Sequence, residues 1–127
     1  MANIRRAGTR PEMVVRRLLH RLGYRYRVQW KHGAAGRLDI AFPGRRKAVL
    51  VHGCFWHRHE DCRLAYMPRT RQAFWADKFE RNRARDARDL DAIARTDWTV
   101  LVIWECETRH AEGLAERLMM FLGPPAQ

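Results

Sequence analysis

The sequence predicts an α/β domain: a mixed β-sheet flanked by helices. Three observations carry that prediction. Apolar residues recur at helical spacing near both ends of the chain, strand-length apolar runs fall between residues 24 and 53 and again at 98–104, and a long polar helix-forming segment separates them. With 127 residues there is enough chain for one core but not comfortably for two. A single domain is therefore expected over 1–127, with 1–8 as a flexible arm and 123–127 as a tail.

The first element is "TRPEMVVRRLLHRLG". Thr9 with Glu12 three residues on reads as a capping box, and Pro11 sits in the first turn, where its missing N–H costs nothing. Met13, Val14, Leu18 and Leu19 give one buried face before Gly23 stops the helix. In "YRYRVQW", Tyr24, Tyr26, Val28 and Trp30 alternate with Arg and Gln, the pattern of a half-buried strand. A loop holding "HGAAG" leads to "RLDIAF", a short strand with one carboxylate, Asp39. "GRR" at 44–46 then turns the chain into "KAVLVHG", so these two strands should form a hairpin.

Residues 70–95 are good helix formers with a thin apolar stripe of Phe74, Phe79, Leu90 and Ile93. "WTVLVIW" at 98–104 is a continuous β-branched and aromatic run, suited to a strand buried on both faces. "AEGLAERLMMFL" closes the fold as an amphipathic helix.

Charge points to the partner. The formal net charge is +11, from 25 Lys and Arg against 14 Asp and Glu, and all but three of the basic residues are Arg. The planar guanidinium grips phosphate bidentately, so an excess of this kind favours nucleic acid. No window reaches the roughly eighteen consecutive apolar residues of a membrane span, and the N-terminus lacks the apolar stretch of a secretory signal. A cytoplasmic, nucleoid-associated protein with no membrane partner is expected.

Three cysteines without an export signal argue against a disulfide framework. Cys54, His59 and Cys62 lie within nine residues, and Cys106 follows the 98–104 strand, whose end would sit beside that of the 47–51 strand if the two are neighbours. Together they form a Cys3His set, the closed tetrahedral composition of structural Zn2+. The alternative is three small cysteines packed in a core beside a surface histidine. A second, harder site is suggested by Asp39, which can face the Val51–Gly53 segment across the hairpin. A carboxylate with backbone oxygen suits Mg2+, which fills its shell with water and substrate phosphate. An Asp flanking a turn would look the same in sequence.

"TRPE", "VVRRLLHRLGYRYRVQ", "LDIAF", "VLVHGCFWHRHEDC", "RTRQAFWADKFERNRARD" and "WTVLVIWEC" together resemble the very-short-patch mismatch repair endonucleases, which cut one strand of DNA beside a thymine mispaired with guanine. The likeness runs from about residue 8 to 122. It implies a restriction-endonuclease-like fold, catalytic Mg2+ and structural Zn2+. Carried over by position, it makes Asp39 the Mg2+ ligand, with Val51 contributing its backbone carbonyl, and His57 the base that activates water, oriented by Asp86. Glu12 and His52 fill the remaining active-site positions, and Cys54, His59, Cys62 and Cys106 the zinc site. Phe55, Trp56 and Trp75 match rings that wedge between base pairs, while Lys78 and Asn82 match contacts to the mismatched bases.

The chain departs from the family pattern in three places: Val51 stands where many members carry Thr, "HRHEDC" is one residue longer between histidine and cysteine, and the arm before Thr9 is short. The expected function is strand nicking at T·G mismatches left by deamination of 5-methylcytosine. The protein would act as a monomer on double-stranded DNA, with mismatch-repair proteins as further partners. Nicking without a mismatch requirement and a decayed DNA-binding module remain as alternatives.

Overall fold

The computed structural model describes residues 8–33 and 36–125. The expected arm, except Gly8, and the last two residues of the tail lie outside the described residues, as do Ala34 and Ala35 of the "HGAAG" loop. The elements are α1 (Arg10–Arg21), β1 (Arg27–His32), β2 (Gly36–Phe42), β3 (Lys47–His52), α2 (Gln72–Ala94), β4 (Thr99–Trp104) and α3 (Ala111–Leu122), with 3-10 turns at Pro43–Arg45 and Glu105–Arg109. This is the expected order of elements. The sheet runs β1-β2-β3-β4, antiparallel across the first two pairings and parallel between β3 and β4. Val51 lies opposite Ile103 and His52 opposite Trp104, so β3 and β4 end side by side.

Each face of the sheet carries its own core. Val15, Leu18 and Leu19 of α1 and Leu114, Leu118 and Leu122 of α3 pack on Ile40, Phe42, Val49 and Ile103. On the opposite face, Ile93 of α2 packs on Leu38, Ala41 and Ala48, with Trp30, Leu50, Trp98 and Val100 around them. Truncating a buried leucine such as Leu118 to Ala would cost about 2–5 kcal/mol. The C-terminus of α3 is tied to the sheet by cations: Arg45 donates to the Leu122 carbonyl at 2.7 Å and Lys47 to that of Phe121 at 2.5 Å.

Local chemistry explains the helix ends. The Thr9 hydroxyl accepts the Glu12 N–H at 3.4 Å, the first half of the capping box. The Glu12 side chain does not return to Thr9; it is buried and ion-paired with Arg16. At the other end Gly23 has φ 94°, letting the Tyr24 N–H reach the Leu19 carbonyl at 3.0 Å in a Schellman closure.

Two strands differ from the sequence reading. β1 begins at Arg27 rather than Tyr24, because Tyr24 still belongs to the helix closure and buries its ring under α1 and α3. The alternation also breaks: Val28 is 43% exposed, and Gln29, expected on the solvent face, turns inward with φ 48°. β4 was expected to be buried on both faces, yet of its residues only Ile103 is fully buried. It closes the sheet edge beyond β3, where α2 covers it incompletely.

Candidate active site and metal centre

The site lies where β3 ends. A loop from Gly53 to Cys62 leaves the strand, and α2 runs beside it with Trp75, Lys78, Phe79, Asn82 and Asp86 on one stripe, spaced three or four residues apart. The loop is a series of tight turns. The His57 and His59 N–H groups bond to the Gly53 and Cys54 carbonyls, each at 3.0 Å, and Arg58 and Asp61 adopt left-handed φ of 53° and 54°.

Those turns, with the end of β4, bring the four residues of the Cys3His set together. The side-chain donor atoms of Cys54, His59, Cys62 and Cys106 all lie within 4.8 Å of one another. His59 Nδ1 is 3.6 Å from Cys54 Sγ and 3.5 Å from Cys106 Sγ, and the His59 ring stacks on Trp104 at 4.2 Å. Burial pushes the Cys54 thiol up to about 12, a cost that a bound cation removes by holding the thiolate. The group could hold a metal ion. Glu105, which the sequence reading missed inside "WEC", accepts the Cys54 N–H at 3.2 Å and anchors the start of the loop.

A second cluster faces α2. His57 Nδ1 is 2.6 Å from Asp86 Oδ2, and His52 stacks on His57 with ring centroids 3.9 Å apart. Although donor atoms of His52, His57 and Asp86 also fall within 4.8 Å of one another, the 2.6 Å contact is a direct hydrogen bond. Two ligands of one tetrahedral ion would stand about 3.3 Å apart. Burial pushes the His52 imidazole down to about 4, with the adjacent His57 adding to the shift, so His52 is neutral at physiological pH.

Asp39 comes in from β2. Its Oδ2 accepts the Val51 N–H at 2.9 Å, the contact expected across the hairpin. Burial pushes its carboxyl up to about 6; the Val51 bond and His57 oppose the rise, and the charge of Glu12 adds to it. Asp39, Glu12 and His57 therefore share one electrostatic neighbourhood, drawn from β2, α1 and the loop.

The aromatic residues form a cluster on the α2 side of the loop. Phe55 sits at its centre, 5.0 Å from the rings of Trp56 and Tyr66, 5.6 Å from Trp75 and 5.1 Å from Phe79. Trp56 lies toward Trp75 at 6.0 Å. Arg58, another residue without a sequence signal, stacks over Phe79 at 3.9 Å and donates to the carbonyls of Phe55, Ala65 and Tyr66. Asn82 uses its amide within the protein, donating to the Trp56 carbonyl at 3.2 Å and accepting from Arg85 at 2.5 Å. Lys78 is half-buried one turn earlier.

No helix among the described residues is long and apolar enough to cross a membrane.

The family described as DNA mismatch endonuclease Vsr matches residues 1–64. The Type II nicking enzyme V.XorIIP of Xanthomonas oryzae pv. oryzae is 46% identical over 124 residues, covering 98% of this chain and 90% of that protein. The DNA mismatch endonuclease Vsr of Escherichia coli is 37% identical over 120 residues, 92% of this chain and 76% of that protein. The Type II nicking enzyme V.NmeAIP of Neisseria meningitidis is 34% identical over 118 residues, 93% and 83% of the two. Likeness across both the strand ends and the stripe of α2 covers the clusters described above, and the chain belongs to the Vsr family of DNA endonucleases.

Proposed function

We propose that this endonuclease nicks one strand of duplex DNA beside a T·G mismatch, using Mg2+ for catalysis and Zn2+ for structure on a restriction-endonuclease-like fold. The observation that carries the proposal is the juxtaposition at one strand end of a hydrogen-bonded His57–Asp86 pair, a buried carboxylate and a loop bearing aromatic rings.

The residues divide the work. Asp86 accepts the Nδ1–H of His57, which leaves Nε2 free to take a proton from the attacking water. His52, neutral and stacked on the ring, adds no charge to oppose that transfer. Asp39 and the Val51 carbonyl would hold Mg2+, and Val51 serves there as well as Thr because only its backbone is used. The donor chemistry fits. Burial and the charge of Glu12 make an ionised Asp39 costly, a cost that a hard cation would offset, and Mg2+ takes one or two carboxylates and leaves the rest of its shell to water and phosphate. When bound, it neutralises charge building on the phosphate and the leaving oxygen.

For the other site, ligands at tetrahedral Zn–N and Zn–S bond lengths stand about 3.6 Å apart. The 3.5 and 3.6 Å separations from His59 Nδ1 support Zn2+ held by Cys54, His59, Cys62 and Cys106. Phe55, Trp56 and Trp75 supply the wedge, which is cheapest to insert where a mismatch has already weakened the stack. Lys78 and Asn82 on the same stripe of α2 reach the mismatched pair, Asn82 by exchanging its bond to the Trp56 carbonyl for one to a base.

The test is cleavage of labelled duplexes identical except for T·G, T·A or C·G at one position, with Mg2+ or EDTA, and with Asp39→Ala as control. Nicking beside T·G alone, lost with EDTA and in the variant, is expected. Cleavage of all three duplexes would make the protein a nicking enzyme without a mismatch requirement, and binding without cleavage would make it a DNA-binding module.

A further inference from the structure

Gln29 is the residue in the sheet whose conformation its neighbours do not explain. It lies mid-strand in β1, yet its φ of 48° falls in the left-handed region that a β strand avoids and glycine tolerates best. On either side the register is kept, with Val28 opposite Ile40 and Trp30 opposite Leu38, so the twist is confined to the step where Gln29 faces Asp39. The partner strand bends there too. Leu38 and Ile40, two residues apart, enter the cores on opposite faces of the sheet.

The distortion turns the Gln29 side chain inward, against the Asp39 carboxyl, where its interaction favours the ionised form. Its Nε2 is buried and has no hydrogen-bond partner of good geometry. A strained backbone that delivers an unsatisfied donor to a carboxylate has no use in packing, and such strain collects where function needs it.

Resting on the Mg2+ reading above, we infer that Gln29 is a positioning residue: its amide fixes the Asp39 carboxylate in the orientation that takes a hard divalent cation. Oδ2 is already held by the Val51 N–H, and an amide donor beside it removes the remaining freedom of rotation. Neutrality matters. A lysine or arginine here would pair with Asp39 and compete with the cation, while a glutamate would add a third carboxylate beside Glu12. Glycine would suit the backbone better but would leave the carboxylate unsupported.

The experiment is titration of the zinc-loaded full chain with Mn2+, beside the Mg2+ dependence of nicking, for wild type, Gln29→Leu and Gln29→Gly. Both variants are expected to bind Mn2+ about tenfold or more weakly, as loss of groups that orient a ligand does elsewhere. Both should need correspondingly more Mg2+ for half-maximal nicking, recover rate at high Mg2+, and keep wild-type DNA affinity in EDTA. Gln29→Gly should also melt higher, because it relieves the strained φ, so a gain in stability would accompany a loss of cation affinity. Unchanged Mn2+ affinity and Mg2+ requirement in Gln29→Gly would overturn the inference even if Gln29→Leu fails to fold. A wild-type chain that neither binds Mn2+ nor needs a divalent cation would instead overturn the Mg2+ reading on which it rests.

Discussion

At Asp39, burial and charge pull in opposite directions. Its carboxyl is raised from 3.8 to about 6, chiefly by burial, so the fold favours the protonated form. The contribution of that proton is present below pH 3.8 and is lost as pH rises through 6. Above that, the ionised group costs the metal-free fold about 3 kcal/mol at one pK unit per 1.36 kcal/mol. Asp39→Asn keeps an acceptor for the Val51 N–H and removes the charge. It should therefore stabilise the metal-free protein by about 1–3 kcal/mol at pH 8 and by nothing at pH 3.5, while abolishing cleavage. Denaturant melts at the two pH values check this; equal effects at both would mean that charge burial is not the cause. Nicking by the wild type should fall as pH drops through 6, when protons displace the cation. Trp56 offers a second test at this scale. Trp56→Ala should weaken discrimination between mismatched and paired duplex more than total binding, and equal losses on both would mean that the ring only packs.

The loop between β3 and α2 is held by turns and side-chain contacts more than by secondary structure. From Gly53 to Arg71 it has no helix or strand, and its shape comes from turns, Glu105, Arg58 and the Cys3His cluster. Cys106→Ser should lower zinc content and melting temperature together, since ligand loss and loop folding are one process. Retention of one zinc per chain would remove Cys106 from the ligand set. α2 holds the same loop at two points one turn apart, through Asn82 to the Trp56 carbonyl and through Asp86 to His57. That stripe was readable in part: Trp75, Phe79, Asn82 and Asp86 recur at helical spacing, but nothing in a helical period says that His57 lies opposite. Glu12 shows the reverse difficulty, because the capping-box pattern accounts for its position without revealing that its carboxylate faces inward.

For the whole molecule, the charge of +11 sets how DNA is held. Affinity for duplex should fall linearly on a log–log scale with salt, by about 0.9 per phosphate neutralised. The ratio of T·G to T·A cleavage should stay nearly constant, because phosphate contacts position the duplex without reading it. A ratio that collapses with salt would place mismatch recognition in the electrostatic contacts and not in the wedge. The order of elements, the hairpin, the polar α2 and the membership of the Cys3His cluster were legible in the sequence alone, because hydrophobic period, turn residues and side-chain type are local properties. The tertiary structure decided which groups meet. Placing β4 parallel to β3 brings Cys106 to the loop, burial gives Asp39 and His52 their shifted acidities, and the twist at Gln29 turns a residue that reads as solvent-facing toward Asp39. Each of these depends on residues distant in the chain and on exclusion of water, and neither is written in a local pattern.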